Sequence, residues 1–535
     1  MSARAVIFGV DGLTFRVLHP LMERGRLPNF QRLSQNGCEA VLESKYPPAT
    51  PSAWMSLATG LRPAGHGTYD FWDFEEQHGP GSARVAKLQT RRKGGKAIWN
   101  ILSEYGKKVL VINIPMTYPP EPVNGIMISG YMTPSAEVDF TYPLAFKEEL
   151  FGAVPDYMID LTPEDKSLIG LSKWQARVID ATLHMTEQRM KLISFMLKEK
   201  PWDFCFLGFV GADRLQHRLW DEITSLDIRS TEYYDLLDDG LGQILDMLGP
   251  GDNLFVVSDH GFQGASRSFE PNEYLYGKGL VALGSHAQQS RERTSRSSTL
   301  KNVLKRAGLF DLARMAKGTL EGAGLIKKAV VDSYKIKDPD IVWERTLAYM
   351  PSTACFGSGA ADIFLSPNLD AQYILELAED LKRQVDPLTG QSLIDAVFTT
   401  EVFGNGPYAP REPHLLLLPN DGITFRHSVG NKRLWGDATM ANAPGKKSGV
   451  HQKDGVLYAY GSGFKRGFKA PNADVYDLVP TVLHSMGLPL PVTFDGRVLE
   501  ELFTKDEQVE QTSEVADSSS EGGMARRKLK KLLEV

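Results

Sequence analysis

The stretch Val6–Val10, which reads VIFGV, and Asp11, which follows it, decide the fold of this chain. A short, uninterrupted apolar run is typical of a strand that a parallel sheet buries on both faces. Three later runs have the same character: Val109–Ile114, Phe204–Val210 and Leu254–Val257. Helical stretches alternate with these runs, such as Trp174–Glu199, where apolar residues recur at three- and four-residue spacing. The alternation predicts an α/β fold, with a doubly wound, mostly parallel sheet and helices on both faces.

Acidic residues stand close behind three of these predicted strands. Asp11 follows the first run, Asp213 follows Phe204–Val210, and Asp259 follows Leu254–Val257. Open α/β sheets bind their ligands in the crevice beyond the carboxyl ends of the strands. We therefore expect a functional site at that edge of the sheet.

The charge and the cysteines exclude several classes of protein. The 535 residues carry a formal net charge of −6, which argues against a nucleic-acid polymer as a partner. Three distant cysteines, Cys38, Cys205 and Cys355, do not suggest a disulfide framework. The N-terminus lacks the features of a signal peptide, and no stretch reaches the roughly 20 apolar residues that span a bilayer. We therefore expect a cytoplasmic protein with no transmembrane segment.

Six residues near the predicted strand ends are of the types that hold metal ions. They are Asp11, Asp213, His217, Asp259, His260 and His451. Asp213 and His217 are four positions apart, which places both on one face of a helix. Taken singly, these residues are better explained as a capping or turn aspartate, a surface pair or a loop histidine. Together they suit two divalent ions, most readily zinc and alternatively manganese, a pair that in phosphoryl transfer serves both the attacking and the leaving oxygen.

A candidate nucleophile lies in residues 46–67, which read YPPATPSAWMSLATGLRPAGHG and lead into a predicted helix at about Ser52. A hydroxyl at a helix N-terminus gains from the local positive potential and from free backbone N–H groups, which also suit phosphate oxygens. Thr50 and Ser52 both meet this description. Local physics does not choose between them.

Residues 266–445 depart from the alternation that precedes them. His286–Thr299 is polar and rich in Ser and Arg, as in a loop, and strand-like pieces such as Ala361–Leu365 and His414–Leu418 surround a predicted helix. We predict an inserted α+β region that caps the site and selects the substrate. From Lys505 the composition predicts disorder, and the chain closes with a short basic amphipathic segment. This tail is predicted to be solvated; weak contact with a membrane surface or a protein is the alternative.

The order of these motifs resembles a known family. FGVDGL at 8–13, TPSAWMSLATGLRPAGHG at 50–67, DRLQH at 213–217, SDHG at 258–261 and GVH at 449–451 are similar to motifs of the alkaline phosphatase superfamily. The nearest branch is the type I phosphodiesterase/nucleotide pyrophosphatase group. Residues 474–499, DVYDLVPTVLHSMGLPLPVTFDGRVL, also resemble that group. The resemblance implies an alkaline-phosphatase-like core formed by residues 1–265 and 446–504, with the cap at 266–445 and the tail at 505–535.

The resemblance also implies roles for individual residues. Asp213, His217 and His451 would hold one metal, whereas Asp11, Asp259 and His260 would hold the other, together with the oxygen of Thr50. Counting back from Thr59 and Gly60 puts Thr50, rather than Ser52, at the family's nucleophile position. The implied reaction is attack by Thr50 on phosphorus, a phosphothreonine intermediate, and hydrolysis by a metal-activated water. Because Pro51 suits a first helical turn, we further predict Thr50 at the N-cap of its helix.

Three functions remain open at this point. The first is hydrolysis of phosphodiesters or nucleoside pyrophosphates, with a small phosphate ester as substrate. The second, within the same superfamily, is a phosphomonoesterase or a phosphotransferase, including a mutase. The third is a non-catalytic, metal-stabilised binding protein at a membrane surface, against which the intact nucleophile and six ligands argue. A sulfatase is not expected, because its CxPSR-type motif is absent from the sequence.

Overall fold

The computed structural model of the chain describes residues 3–44, 47–76, 84–161, 174–285, 341–351, 359–409, 413–430, 433–438, 448–490 and 494–504. The predicted loop His286–Thr299, the cysteine Cys355 and the predicted tail from Lys505 lie outside these residues. Within the described ranges, no helix has the length and apolar character needed to cross a membrane.

The elements are numbered in chain order. The strands are β1 (Ala5–Val10), β2 (Cys38–Glu43), β3 (Trp72–Glu76), β4 (Arg84–Leu88), β5 (Val109–Ile114), β6 (Gly125–Ser129), β7 (Thr141–Tyr142), β8 (Phe204–Phe209), β9 (Asn253–Val257), β10 (Gly261–Ala265), β11 (Arg267–Phe269), β12 (Ala348–Tyr349), β13 (Ala361–Leu365), β14 (Ile394–Thr399), β15 (Leu415–Pro419), β16 (Ile423–Phe425), β17 (Trp435–Asp437), β18 (Ser448–Gln452), β19 (Asp454–Tyr460), β20 (Phe468–Lys469) and β21 (Ala473–Asp474). The helices are α1 (Phe15–Glu23), α2 (Pro28–Asn36), α3 (Thr50–Thr59), α4 (Pro63–His66), α5 (Ile98–Glu104), α6 (Phe146–Ala153), α7 (Trp174–Glu199), α8 (Gly211–Thr224), α9 (Ile228–Met247), α10 (Pro271–Gly277), α11 (Ala371–Lys382) and α12 (Leu478–Ser485).

A large central sheet holds all four predicted apolar strands. Its order is β20-β2-β19-β9-β1-β8-β5-β6-β7, and β21 pairs with β2. Strand β1 is parallel to both β8 and β9, and β5 is parallel to β8 and β6. Strand β19 runs antiparallel between β2 and β9, and β7 is antiparallel to β6. The predicted mostly parallel sheet is confirmed.

Each face of the sheet is covered by helices, which explains why its inner strands are apolar throughout. Along β1, Val6, Phe8 and Val10 point into one hydrophobic core, whereas Ala5 and Ile7 point into another. The first core includes side chains of α1, α2, α7, α8 and α9. The second includes side chains of α3, α5 and α12. The doubly wound arrangement that the alternation predicts is therefore present.

Smaller sheets follow the last parallel strand of the core. One has the order β12-β13-β15-β14 and another the order β16-β11-β17. They share a third hydrophobic core with α11, separate from the two cores of the central sheet. Strands β10 and β18 pair antiparallel, with Phe262 opposite His451. This pairing brings the chain on either side of residues 266–445 together, directly behind β9.

Candidate metal centre

Asp213, His217 and His451, here called the first triad, converge on one point. The Nε2 atoms of both histidines lie 3.1 Å from Oδ1 of Asp213, and the two Nε2 atoms are 3.0 Å apart. The first turns of α8 supply Asp213 and His217 at the four-residue spacing that puts them on one face. His451 arrives from β18, which the pairing with β10 holds beside the end of β9.

Asp11, Asp259 and His260, here called the second triad, form a similar group that is fully buried. His260 Nε2 lies 3.4 Å from Asp11 Oδ1 and 3.2 Å from Asp259 Oδ2. Backbone contacts position the two aspartates. The Asp11 N–H donates to the Phe209 carbonyl at 2.8 Å, and the Gly12 N–H donates to Asp259 Oδ1 at 3.0 Å. Adjacent parallel strands therefore present their end residues to a common point.

The two triads are neighbours. The rings of His260 and His451 stack with their centroids 3.6 Å apart and their planes 21° apart. The Asp213 N–H donates to the Asp11 carbonyl at 3.1 Å, which ties the start of α8 to the end of β1. The structure thus brings all six predicted ligand residues into one centre, in the two groups of three that the family resemblance implies. That they bind metal stays a prediction.

The three histidines share a hydrogen-bonding pattern that suits metal ligands. Nδ1 of His217 faces the Gly449 carbonyl at 3.1 Å, Nδ1 of His451 faces the Pro48 carbonyl at 2.9 Å, and Nδ1 of His260 faces the Gly261 carbonyl at 3.1 Å. A carbonyl only accepts, so Nδ1 carries a proton in each of the three rings. Each Nε2 then directs a lone pair at the carboxylates, which is the tautomer of a metal-ligating histidine.

Two carboxylate oxygens of the second triad reinforce this fit. Asp11 Oδ1 and Asp259 Oδ2 are buried and have no hydrogen-bond partner among the residues that the structure describes. Buried polar atoms without partners are rare in proteins because their desolvation is costly. A cation placed among these nitrogen and oxygen lone pairs would satisfy them all at once. Mixed Asp and His ligands suit zinc and also manganese, so the residues present fit two divalent cations.

The electrostatics of the carboxylates and imidazoles agree with this donor set. Burial and the nearby charges of Asp259 and Asp213 raise the pKa of Asp11 well above its ordinary value. Burial likewise raises the pKa of Asp259 well above its ordinary value. Burial lowers the pKa of His260 and of His451, so both rings are neutral near pH 7. A bound cation favours the ionised carboxylates and requires the neutral imidazoles.

Thr50 lies beside the second triad. Its Oγ1 atom is 3.4 Å from His260 Nε2, and its side chain is buried. Ser52 is buried in the same turn of α3, but within the described residues it makes no hydrogen bond to either triad. The predicted N-cap position of Thr50 is wrong: α3 begins at Thr50, and Ala49 is the extended N-cap residue. Pro51 then stands second in the helix, where its missing N–H is still tolerated, since the first turn has no intrahelical acceptors for its N–H groups.

Sequence reasoning missed the residues that orient the aspartates. Arg214 Nη1 donates to Asp213 Oδ2 at 2.9 Å, and the same guanidinium contacts Asp160 at 3.3 and 3.4 Å. Trp54 Nε1 is 3.4 Å from Asp11 Oδ2. Arg214 follows a ligand directly, and Trp54 is one helical turn from Thr50, so spacing alone could have indicated both. No local signal in the sequence connects Asp160 with this centre.

Comparison with known proteins relates the chain to one family. The model of the family described as type I phosphodiesterase / nucleotide pyrophosphatase matches residues 5–450. Phosphonoacetate hydrolase from Sinorhizobium meliloti 1021, in complex with phosphonoformate, aligns at 13% identity with a TM-score of 0.54, covering 91% of this chain and 95% of that chain. Human ectonucleotide pyrophosphatase / phosphodiesterase 5 aligns at 13% identity with a TM-score of 0.47, covering 94% and 100%. A search of curated protein sequences gave no match.

Proposed function

This chain belongs to the type I phosphodiesterase / nucleotide pyrophosphatase family, and from that premise we propose that it hydrolyses small phosphodiesters or pyrophosphates through Thr50 and two divalent cations. Membership makes the chain a phosphoester hydrolase with an alkaline-phosphatase-like fold. The observation that carries the finer proposal is the position of Thr50 Oγ1, 3.4 Å from His260 Nε2 and beside two adjoining sets of ligand atoms.

The first triad would hold one cation and the second triad the other. When bound, such a pair of cations lowers the pKa of a nearby hydroxyl or water and offsets the negative charge of a phosphoryl group. Zinc is our first choice, with manganese as the alternative, because both accept mixed nitrogen and oxygen ligands. Arg214 and Trp54 hold Asp213 and Asp11 in orientation through the hydrogen bonds described above.

Thr50 is the nucleophile of the proposed reaction. Its Oγ1 attacks phosphorus, the bond to the leaving oxygen breaks, and a phosphothreonine ester remains. Water then attacks the same phosphorus, which releases the product and restores the Thr50 hydroxyl. The N-terminal turn of α3 contributes a positive potential and free N–H groups at the place where the phosphoryl oxygens would lie.

Residues 266–445 are proposed to cover this centre and to select the substrate. The support is the β10–β18 pairing, which anchors both ends of this region next to His260 and His451. The chain on both sides of the region therefore contributes to the centre itself. We therefore expect substitutions within residues 266–445 to alter the relative rates on different substrates.

Substitution of Thr50 tests the proposal. Thr50→Ala should lower kcat by at least about a thousandfold while leaving the metal content unchanged, since an alanine cannot form the ester. Thr50→Ser should retain substantial activity. Ser52→Ala is the matched control: it removes a second hydroxyl of the same turn and should lower kcat far less than Thr50→Ala does. Activity is measured with diesters, monoesters and nucleoside pyrophosphates on protein of known metal content. An active Thr50→Ala enzyme, or a trapped phosphate mapped to Ser52 by mass spectrometry, contradicts the proposal.

A further inference from the structure

Two arginines lie one helical turn apart on α8, directly beside the first triad. Arg214 follows Asp213, and Arg218 follows His217. The guanidinium of Arg214 is fully engaged: it donates to Asp213 and Asp160 and lies 4.3 Å from the ring centroid of Tyr131. Its positive charge is therefore compensated within the protein.

Arg218 differs from Arg214 in having no carboxylate partner. Among the described residues its one hydrogen bond runs from Nη1 to the Arg214 carbonyl at 3.0 Å, which leaves most of its five N–H groups without a partner there. Within the described part of the chain, no Asp or Glu forms an ion pair with it. The side chain is half-buried, so water solvates its charge only in part. A guanidinium in this situation is a strong site for a further oxyanion.

The guanidinium of Arg218 is close enough to Asp213 of the first triad for the two charges to interact. Its contact with the Arg214 carbonyl draws the guanidinium back toward the turn that carries Asp213. There Asp213 and Asp160 attract its charge, and Arg214 repels it. With Asp213 committed to the first triad, Asp160 balances only one of the two arginines. Among the described residues, the positive charge of Arg218 therefore remains uncompensated near Asp213.

We propose that Arg218 is a specificity-determining residue that binds a second anionic group of the substrate, a phosphate or a carboxylate outside the ester that is cleaved. The proposal rests on the function proposed above and narrows it. Substrates with such a group, among them pyrophosphates and esters of phosphorylated or carboxylated alcohols, are preferred over esters that carry only the scissile phosphate. A planar guanidinium can hold either oxyanion through two parallel hydrogen bonds.

The test compares three 4-nitrophenyl phosphodiesters whose second ester group is ethyl, 2-carboxyethyl or 2-phosphoethyl. They share one leaving group, so their kcat/KM ratios report the added anion alone, and the last two distinguish carboxylate from phosphate. Arg218→Gln should lower the preference for the anionic esters over the ethyl ester about tenfold or more, the range for a charged hydrogen bond. Arg218→Lys should restore part of it. Arg24→Gln, which removes an exposed arginine at the end of α1, is the matched control and should leave the preference unchanged.

A binding measurement separates this proposal from the proposed function. Calorimetric titration of the metal-loaded Thr50→Ala protein with inorganic phosphate and with pyrophosphate involves no turnover, because this variant cannot form the phosphothreonine ester. Arg218→Gln should weaken pyrophosphate binding about tenfold more than phosphate binding. A wild-type protein that cleaves none of the esters refutes the proposed function, but the titration still decides on Arg218. Equal losses on all ligands, or no loss on any, overturn the role of Arg218.

Discussion

At the scale of single residues, His66 shows how the protein keeps a titratable group uncharged. Its Nδ1 accepts from the Thr68 N–H at 3.2 Å, and its Nε2 lies 3.1 Å from Ser56 Oγ. The ring is completely buried and bridges helix α3 to the turn after α4. Burial lowers its pKa to about 3, so the folded protein holds it neutral.

His66 should make stability depend on pH in the acidic range. Because the folded pKa lies below the ordinary value, its contribution is complete above about pH 6.5 and is lost as the pH falls toward about 3. Between pH 7 and pH 5, the free energy of unfolding of the wild type should fall by about 2 kcal/mol more than that of His66→Gln. The glutamine side chain can replace both hydrogen bonds but does not titrate. Urea unfolding of both proteins at the two pH values measures this. Equal losses in the two proteins would contradict the assignment.

The sequence predicts which residues are candidate metal ligands better than it predicts which of them lie together in one triad. Asp213 and His217 can be paired from spacing alone, because a helix of 3.6 residues per turn puts positions four apart on one face. His451 cannot, since 234 residues separate it from His217 and only the β10–β18 pairing brings it to the same point. Local physics also left Thr50 and Ser52 open, because both stand in the first turn of α3. Resemblance to a family, not propensity, favoured Thr50.

At the scale of elements, residues 403–409, here called the docking loop, fasten the β12-β13-β15-β14 sheet to the catalytic core. The Tyr408 N–H donates to the Ala64 carbonyl at 3.1 Å, and its hydroxyl donates to the Lys93 carbonyl at 2.9 Å. The Tyr69 hydroxyl donates to the Tyr408 carbonyl at 3.0 Å. The docking loop therefore rests on α4 and on the segment around Lys93.

Gly406 makes the close approach of the docking loop possible. A Cβ atom at this position would lie 2.2 Å from the Ala64 carbonyl oxygen, so Gly406→Ala must push the docking loop away from α4. We expect Gly406→Ala to lower the free energy of unfolding by about 1–3 kcal/mol. It should also alter the relative rates on different substrates, because the proposed cap loses an anchor.

Gly277→Ala is the matched control for this substitution. Gly277 ends α10, and no atom lies within 4 Å of an added Cβ there. This control should be neutral or slightly stabilising. Denaturant unfolding and a substrate panel measure both variants. If Gly406→Ala behaves like the control, the docking loop does not have the proposed role.

Elements differ in how well the sequence reveals them. The inner strands β1, β5, β8 and β9 are readable because burial on both faces makes them continuously apolar. Strand β2 cannot be recognised in this way, because it lies near the edge of the sheet and its sequence, CEAVLE, contains charged residues. The site at the carboxyl ends of parallel strands follows from a general rule, whereas the docking loop depends on contacts between distant segments that no local pattern encodes.

At the scale of the whole molecule, bound cations should act as cross-links. The two triads draw together residues from position 11 to position 451, and the unfolded chain has no preformed site. Ions that bind only the folded state stabilise it, by about 4 kcal/mol for a ligand at a thousand times its Kd. We expect elemental analysis to find two ions per chain and a chelator to lower the Tm. His451→Ala should lower the content toward one ion.

A histidine outside the triads provides the control for metal content. His184 pairs with Asp156 on the surface, so His184→Ala should retain two ions. Reconstitution with zinc or with manganese decides which cation restores the original Tm. If the protein holds less than one ion per chain after reconstitution with either metal, the two-cation proposal is wrong.

The place of β19 in the central sheet has a consequence for how the protein is made on the ribosome. Strand β19 lies between β2 and β9, although both of these strands are translated before residues 266–445 and β19 follows them. At 5–20 residues per second, the ribosome needs roughly 10–40 s to travel from the end of β10 to β19. During that interval β2 has none of its partner strands, since β19, β20 and β21 all follow, and β9 is unpaired on the side away from β1. Open edges invite pairing with other chains. The nascent protein therefore passes through a stage in which a chaperone has a defined surface to protect.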